Sequence, residues 1–360
     1  MTGVPLLDLH HLGHRQTGNE SWARSLAAAM FALDGPGAYD VALTDAVPAE
    51  DVPLLPARRQ VRVSGSSTRR LALDLPLAMR RLGTSAVLVQ YTVPVSRVPA
   101  LVMVHDLSFE DPRAAQWLPL GTRLRYRATI RASARRAAHV LTVSEHAKAD
   151  LVRCYGLAAD RVTVVPNAVD PRLIELLAET PEGRSGPPVV LMVGNVLPRK
   201  NLPVVARAVR LMRDRGSEVT LRVVGTVAPT GGRDAETARR LLGDSVSFTG
   251  YVSTAQLATE LRAADVLAFP SLFEGFGIPA IEAMAAGLPV VVSDRGALPE
   301  VVGDGGVVVP GEDVDAWAEA LAGAVGDSGL VARGHLRVAQ FRWDEGAKAV
   351  SRLLRSVRSV

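Results

Sequence analysis

The sequence predicts an α/β protein built from two doubly wound parallel-sheet domains. Its 360 residues exceed the length of one ordinary domain and suit two. Short apolar, β-branched runs alternate with alanine- and arginine-rich stretches of helical period, a pattern typical of βαβ units. A hydrophobic content of 48% supplies two cores and excludes a disordered or fibrous chain.

The first domain is expected to span residues 1–175. Its strand candidates are short apolar runs separated by helical stretches: Ser85–Gln90, Leu101–Val104, Val140–Val143 and Val162–Val165, with the longest helix at Leu118–Arg136. Residues Ala178–Pro188 then break the periodicity with several prolines and glycines. This composition predicts a surface connection near the domain boundary.

The second domain, expected at residues 176–340, alternates more regularly. Its apolar runs predict a six-stranded doubly wound sheet: Val189–Val193, Val219–Val224, Val246–Thr249, Val266–Phe269, Val290–Val292 and Val307–Val309. The chain ends in a helical stretch at residues 341–360, which is long enough to pack back on the first domain.

Composition excludes several classes of function. The net charge of +4 is mild and the aromatic content is 4%, so no nucleic-acid surface is expected. A single cysteine, Cys154, permits no internal disulfide and favours the cytoplasm. The sequence shows no signal peptide and no run of about 18 apolar residues, so neither secretion nor membrane spanning is expected.

Doubly wound sheets bind ligands in the loops that leave the carboxyl ends of their strands. The first informative loop, Gly194 to Asn201, carries Arg199 and Lys200 just before a helix that Asn201 could cap. Only three of the 41 basic side chains are lysines, and one of them is here. Two cations beside a helix amino terminus predict a phosphate or pyrophosphate site. The alternative is a solvated basic loop.

The second loop runs from Phe269 to Glu282. Gly275 and Gly277 let backbone amides approach a ligand, while Glu274 precedes a predicted helix and Glu282 lies about one turn inside it. Two such carboxylates could accept hydrogen bonds from the vicinal hydroxyls of a sugar and a ribose. The alternative is a Pro/Gly turn with two solvated glutamates.

The same loop also fits the dinucleotide fingerprint G-x-G-x-x-A, with Asp294 in the ribose-binding position. A nicotinamide-dependent oxidoreductase using Gly275, Gly277 and Asp294 therefore stays open. Against it, residues Ser271–Glu274 separate the strand from the first glycine, whereas the dinucleotide turn lies tight against its strand.

In the first domain, an apolar strand ends in His105 and Asp106. This histidine could bind a ligand hydroxyl or carbonyl, or the two residues could form a structural His–Asp pair. No histidine spacing indicates a metal site, and Asp313 and Asp315 are interpreted as helix-start residues, so no metal is expected.

Together these motifs resemble those of retaining glycosyltransferases of family 4, which have the GT-B fold of two Rossmann-like domains facing a cleft. Residues Glu274 to Glu282 resemble the family's E-x7-E motif, and Gly194 to Asn201 resemble its phosphate-binding loop. The resemblance covers nearly the whole chain, with shorter matches at His105–Leu107, Val143–Glu145, Pro166–Asp170 and Thr249–Val252.

The resemblance implies a role for each matching residue. Arg199 and Lys200 would neutralise the donor diphosphate, and Glu274 would contact the hydroxyls of the transferred sugar. Glu282 would bind the nucleotide ribose. His105 would contact the donor sugar and help to stabilise the reacting centre. The other donor-binding positions implied are Gly18, Gly194, Tyr251, Val252, Phe276, Gly277 and Ile278.

The implied enzyme is a retaining, metal-independent hexosyltransferase that uses a GDP- or UDP-linked sugar and no cofactor. Residues 105–112 resemble those of bacterial mannosyltransferases, which favours mannose. The acceptor, whether glycan, lipid-linked or small molecule, is not specified by the sequence, and neither is the oligomeric state. A non-catalytic nucleotide-sugar-binding subunit would share the same donor site and stays open.

The stretch Arg123–Arg136 is rich in arginine and has two interpretations. It could contact an anionic membrane or a lipid-phosphate acceptor at the inner face of the cytoplasmic membrane. Alternatively, it is a solvated helix in an arginine-rich protein.

Overall fold

The computed structural model describes residues 3–13, 17–47, 52–53, 55–178 and 186–357. The chain forms two compact units. The first comprises Met1–Glu110, Pro119–Asn167 and Arg342–Val360, and the second comprises Asp111–Leu118 and Ala168–Phe341. Most of the predicted surface connection, residues 179–185 within Ala178–Pro188, lies outside the described residues.

The strands are Leu6–Asp8 (β1), Asp40–Leu43 (β2), Gln60–Arg62 (β3), Val87–Gln90 (β4), Ala100–Met103 (β5), His139–Thr142 (β6), Val162–Val164 (β7), Val189–Val193 (β8), Thr220–Val224 (β9), Val246–Gly250 (β10), Val266–Phe269 (β11), Val290–Ser293 (β12) and Val307–Val309 (β13).

The α-helices are Thr17–Asp34 (α1), Ser67–Arg69 (α2), Leu75–Leu82 (α3), Pro112–Ala115 (α4), Leu120–Arg136 (α5), Glu145–Tyr155 (α6), Pro171–Leu177 (α7), Leu202–Asp214 (α8), Gly232–Leu242 (α9), Thr254–Arg262 (α10), Ile278–Ala285 (α11), Leu298–Val302 (α12), Val314–Ala324 (α13), Ser328–Val338 (α14) and Trp343–Ser356 (α15). A π-helical turn, Arg70–Asp74, joins α2 to α3.

The first unit contains a parallel sheet in the order β3-β2-β1-β4-β5-β6-β7. Its central strands β4 and β5 are buried along their whole length, which explains their continuous apolar sequence. The strands predicted in this half are confirmed as β4 to β7, with ends that move by at most two residues. Strands β1, β2 and β3 were not predicted.

The second unit contains a parallel sheet in the order β10-β9-β8-β11-β12-β13. The predicted strands are all confirmed, with the bounds of β8, β11 and β13 as predicted. Trp317 on α13 is fully buried beside strand residues such as Val190 and Val266. The predicted class of two doubly wound parallel α/β sheets is therefore confirmed.

Helix α15 belongs to the first unit and packs on α1. Its buried face includes Ala347, Val350 and Leu354. At the polar margin, Asp34 at the end of α1 accepts hydrogen bonds from Ser351 and from Arg355, the latter at 3.1 Å. Apolar burial and this polar contact together fix the helix on its unit.

The carboxyl edge of each sheet contains one point where the strand order reverses. It lies between β1 and β4 in the first sheet and between β8 and β11 in the second. Loops that leave neighbouring strands there diverge to opposite faces and leave a crevice in which ligands bind. Among the described residues, no helix is long and apolar enough to cross a membrane.

Candidate active site

In the second unit, the loop after β8 forms one side of the reversal point. Gly194 opens this loop with a φ of 130°, a backbone conformation that side chains disfavour. A Cβ atom at that position would lie 3.5 Å from Nζ of Lys200, so the lysine lies directly against the glycine. Residues Pro198–Lys200 form a 3₁₀ turn, and α8 follows.

Asn201 lies at the N-cap position of α8, as predicted, but its side chain does not cap the helix. The residue adopts the left-handed conformation, with φ 53°, and makes no side-chain capping hydrogen bond. Its Nδ2 atom instead donates to the carbonyl oxygen of Gly311 at 2.8 Å. The side chain of Asn201 therefore links the β8 loop to the loop that follows β13.

The loop after β11 forms the other side and leads into α11. Gly277 has a φ of 112°, and a Cβ atom there would lie 2.6 Å from Leu298, so the position requires glycine. The ring of Phe276 packs edge-to-face on Phe341 with centroids 5.3 Å apart. The amides of residues 276–278 donate to no backbone carbonyl among the loop contacts of the described residues. They form an amino-terminal donor set at α11.

The two loops meet through an ion-paired cluster. Nη1 of Arg199 lies 2.9 Å and Nζ of Lys200 lies 2.6 Å from the same oxygen, Oε1 of Glu274. Nη1 of Arg199 also donates to the carbonyl oxygen of Phe273 at 3.1 Å. Two cations sharing one carboxylate leave the cluster with a net positive charge.

Glu274 is held in its ionised form by this cluster. Burial alone would raise its pKa, but the charges of Lys200 and then Arg199 outweigh burial and lower the pKa to about 2. The side chains of Lys200 and Glu274 are only 11% and 14% exposed. The ion pair is therefore largely removed from water, where charges interact more strongly than at the surface.

Glu282, one turn inside α11, has the opposite environment. It is partly buried and makes no ion pair with any described residue. Burial, and then the negative charge of Asp170 at the start of α7, raise its pKa to about 7. A partly buried carboxylate without a cationic partner is typical of a group reserved for a ligand.

The other predicted donor-binding positions of this unit, Tyr251 and Val252, lie further from the ion-paired cluster. Tyr251 and Val252 follow the edge strand β10, and Tyr251 is 57% exposed. Because β9 separates β10 from β8, these residues start roughly 10 Å from the β8 loop across the sheet. The structure brings together Gly194, Arg199, Lys200 and Glu274, and it does not bring Tyr251 to that cluster.

The contacts of Asp294 disfavour the oxidoreductase alternative. Its Oδ1 atom accepts a hydrogen bond from the amide of Gly311 at 3.0 Å and lies 3.1 Å from Nε of Arg295. In addition, β11 ends at Phe269 whereas α11 begins at Ile278, so the glycines do not form a tight turn on the strand. A dinucleotide site requires that turn.

Asp313 starts α13, as predicted. Its Oδ1 atom accepts a hydrogen bond from the amide of Ala316 at 3.0 Å, and Asp315 pairs with Arg215 at 2.9 Å. Within the described ranges, no group of three or more histidine, cysteine or acidic side chains is arranged to hold a metal ion.

In the first unit, His105 follows β5 and is 8% exposed. Its Nε2 atom lies 2.9 Å from Oε1 of Gln90. Asp106 instead accepts a hydrogen bond from the amide of Ser108, so the alternative of a structural His–Asp pair is wrong. Burial, and then the nearby charge of His11, lower the pKa of His105 to about 3.

Gly18 lies in the first turn of α1, also in the first unit, while Gln16, two residues before it, lies outside the described residues. Sequence reasoning missed Gln90, the partner of His105. The only available signal was a polar residue closing an otherwise apolar strand.

The arginine-rich stretch is helix α5, and its own unit engages most of its arginines. Arg123, Arg135 and Arg136 donate to backbone carbonyls, and Arg127 pairs with Glu110 at 2.8 Å. The helix also exposes the apolar side chains of Leu120 and Leu124, and Arg125 and Arg131 are exposed as well.

Two family models match the chain. The family described as Glycosyltransferase Family 4 matches residues 26–173, and the family described as Glycosyl transferases group 1 matches residues 187–327. Between them they include most of both units.

Similar proteins carry related names. A D-inositol 3-phosphate glycosyltransferase of Xylanimonas cellulosilytica is 37% identical over 222 residues, which are 56% of this chain and 52% of that protein. A phosphatidyl-myo-inositol mannosyltransferase of Mycolicibacterium smegmatis is 34% identical over 240 residues, 61% of this chain and 58% of the relative. The chain thus spans about half the length of the relatives it matches.

Solved structures share the fold over almost the whole chain. Sucrose-phosphate synthase from Thermosynechococcus elongatus superposes with a TM-score of 0.77 at 22% identity, covering 99% of both chains. Anabaena HepE in complex with UDP superposes with a TM-score of 0.74 at 18% identity, covering 98% of this chain and 100% of the other. These likenesses identify the fold as GT-B.

Proposed function

Because the chain belongs to glycosyltransferase family 4, we propose that it transfers a sugar from a nucleoside-diphosphate donor to an acceptor hydroxyl, with retention and without a metal. One observation carries the proposal. At the reversal point of the second sheet, Glu274 and Glu282 lie eight residues apart with pKa values shifted in opposite directions, to about 2 and about 7. Such a divergence marks two carboxylates with different tasks.

The cluster of Arg199, Lys200 and Glu274 would bind the diphosphate and the sugar. Its net positive charge, with the amides of residues 276–278 at the amino end of α11, suits the charge that accumulates on a departing diphosphate. The ionised Glu274 would use its remaining hydrogen-bonding capacity for hydroxyls of the transferred sugar.

Glu282 would bind the ribose, since its carboxylate can accept hydrogen bonds and forms no ion pair with any described residue. Gly194 would admit the phosphates close to the β8 loop, and Tyr251 and Val252 would lie near the base. For the first unit we carry over the family's expectations that His105 contacts the donor sugar and Gly18 the phosphates.

The reaction would break the bond between the anomeric carbon and the phosphate oxygen and form a bond from that carbon to the acceptor oxygen. The acceptor proton would end on the released diphosphate. Arg199 and Lys200 would stabilise the leaving group, while neither Glu274 nor Glu282 would act as a nucleophile, because they lie on one loop and one helix rather than on opposite sides of a bond.

The donor is proposed to be GDP-mannose. The stretch His105–Pro112 and a relative named as a mannosyltransferase support mannose, whereas the UDP complex of HepE supports a uridine donor as the second candidate. The acceptor is an unidentified hydroxyl on a glycan, a lipid-linked molecule or a small molecule.

We also propose that the protein acts in the cytoplasm and touches the inner face of the membrane through α5. Leu120 and Leu124 are 69% and 53% exposed, and the same helix exposes Arg125 and Arg131. The wild type should float with phosphatidylglycerol vesicles, and the double variant Arg125→Glu/Arg131→Glu should not. Equal flotation with phosphatidylcholine vesicles would contradict this contact.

The first test is thermal unfolding with GDP, UDP, ADP, GDP-mannose, UDP-glucose and NADH, each in the presence of EDTA. One nucleoside diphosphate and its sugar should stabilise the protein, by about 2.7 kcal/mol at a hundredfold excess over Kd. Stabilisation by NADH alone would overturn the proposal. Binding without release of nucleoside diphosphate, with any acceptor tried, would favour the non-catalytic subunit.

A further inference from the structure

We propose that Gln90 is a positioning residue for His105: its amide holds the imidazole as the Nε2–H tautomer and leaves Nδ1 to accept a hydrogen bond from a ligand hydroxyl. The identity of that ligand as a donor sugar rests on the proposed function. The tautomer does not, because every group that sets it belongs to the first unit.

The two side chains come from neighbouring strands. Gln90 closes β4, His105 lies just beyond β5, and the parallel register pairs Gln90 with Met103. Gln90 is 3% exposed, and its Oε1 atom lies 2.9 Å from Nε2 of His105. A contact this short between two buried polar groups needs a proton between them.

A second contact of Gln90, at the outer limit of hydrogen-bond length, indicates which atom carries that proton. Its Nε2 atom donates to the carbonyl oxygen of Asn19, on α1, at 3.5 Å. A carbonyl oxygen only accepts, so a flipped amide would place two oxygens against each other. Oε1 of Gln90 therefore faces His105 as an acceptor, and Nε2 of His105 is the donor.

The imidazole carries only this one ring proton near neutral pH. Burial, and then the charge of His11, hold the pKa of His105 at about 3. With the proton on Nε2, the other nitrogen, Nδ1, keeps its lone pair. None of the described residues forms a hydrogen bond with Nδ1.

Two aromatic rings pack on the imidazole. The ring of Trp22 is perpendicular to it with centroids 5.3 Å apart, and the ring of Tyr91 lies at 5.6 Å. Tyr91 itself has a φ of 58°, in the left-handed region that a bulky residue disfavours. Its amide donates to Met103 at 2.7 Å, so the strained turn is held at the end of β4. Strain of this kind concentrates at ligand sites.

The arrangement restricts what His105 can do. It accepts a hydrogen bond through Nδ1, and at neutral pH it neither donates a proton as a general acid nor supplies positive charge. A ligand group that meets it must therefore donate, as a sugar hydroxyl does.

The test is the protonation of His105 in the ligand-free protein, measured by long-range ¹⁵N–¹H correlation spectra of histidine-labelled samples. The His105→Asn variant assigns the signal. The wild type should show the proton on Nε2, unchanged from about pH 6 to 8. A proton on Nδ1, or an imidazolium in that range, would overturn the proposal.

Two substitutions separate positioning from simple packing. Gln90→Leu removes the acceptor and should give a mixture of tautomers. Gln90→Glu keeps an acceptor of the same shape and adds a charge, so the tautomer should persist while the pKa of His105 rises. A folded Gln90→Leu variant that keeps the single Nε2–H tautomer, or a Gln90→Glu variant that loses it, contradicts the role of Gln90. The exposed Gln116→Leu is the matched control.

Kinetics provide a separate readout once a donor is identified. Gln90→Leu should lower kcat/KM for that donor about fivefold, as expected for one misplaced hydrogen bond. If no nucleotide sugar binds at all, the proposed function fails while the tautomer result stands. If transfer occurs but Nδ1 carries the proton, the inference fails and the proposed function stands.

Discussion

The carboxyl edges of the two sheets have the same topology but carry different side chains. Each sheet reverses its strand order between its first and fourth strands, at β1/β4 in one unit and β8/β11 in the other. The second edge carries the ion-paired Arg199, Lys200 and Glu274. The first carries the neutral, buried His105 and, at the end of β1, Asp8 beside Arg70. The fold thus determines where a ligand can bind, and the residues that follow the strands determine its charge.

The two edges also show that burial affects the pKa of a group differently, depending on the charges beside it. At Glu274, two cations outweigh burial and keep the group charged. At Glu282 and His105 burial prevails, and each is held towards its neutral form. The protein should therefore lose stability towards opposite ends of the pH range at these two buried groups.

The largest effect is expected from Glu274→Gln, which removes the negative partner of the largely buried Lys200 and of the partly exposed Arg199. Breaking such a buried pair costs about 3–5 kcal/mol. Because the pKa of Glu274 is lowered to about 2 from 4.5, its contribution is complete above about pH 4.5 and is lost as the pH falls through 2. Denaturant unfolding at pH 7 and pH 3 measures the free energy of unfolding of both proteins. The difference between the wild type and Glu274→Gln should be smaller at pH 3.

The exposed Glu236→Gln is the matched control for this variant, because it makes the same chemical change on α9. Equal unfolding free energies for Glu274→Gln and Glu236→Gln at pH 7 would show that the cluster does not contribute to stability.

Glu282→Gln should stabilise the free protein in alkali. The pKa of Glu282 is raised to about 7, so the native state binds more protons between about pH 4.5 and 7 and stability falls as the pH rises through that window. The loss reaches at most about 3 kcal/mol above pH 7, less where water reaches the carboxylate. Unfolding at pH 5 and pH 8 measures it.

The same Glu282→Gln variant should bind the donor nucleotide more weakly, since an amide replaces a carboxylate that accepts hydrogen bonds. A gain in stability at pH 8 together with lost affinity would identify Glu282 as a group kept for a ligand. Unchanged affinity would remove it from the ribose site.

Buried His105 should cost the protein stability in acid, the opposite of the effect of Glu282. His105→Asn should remove this loss, which is about 2 kcal/mol of unfolding free energy at pH 5. The pKa of His105 is lowered to about 3, so the native state binds fewer protons than the unfolded chain between about pH 3 and 6.5. Wild-type stability therefore falls as the pH drops below about 6.5, and the variant should lose this slope. A wild-type slope that persists in the variant would assign the acid response to other groups.

Local sequence predicts much of the second edge and little of the first. Glu274 and Glu282 lie within one short loop–helix segment, and Arg199 and Lys200 lie within one turn. Sequence alone therefore identifies them. The meeting of Lys200 with Glu274 joins residues 74 apart, and Gln90 meets His105 through the register of two strands. Contacts of this kind depend on tertiary structure.

The missed elements have similar causes. Strands β1 and β3 have three residues each, and β3 is a largely exposed edge strand with no apolar run to reveal it. Asparagine is a favoured N-cap residue, but the left-handed backbone of Asn201 directs its side chain to the carbonyl oxygen of Gly311. Residue type indicated a helix start correctly and could not indicate the direction of the side chain.

The most direct test of the central claim is calorimetric titration of GDP and UDP into the wild type, Lys200→Ala and Lys348→Ala. Lys348, on α15, gives the same substitution outside the cluster. Loss of one charged contact to a diphosphate should weaken binding about a hundredfold in Lys200→Ala, with Lys348→Ala unchanged. Equal affinity in all three proteins would show that the cluster on the second sheet does not bind the diphosphate.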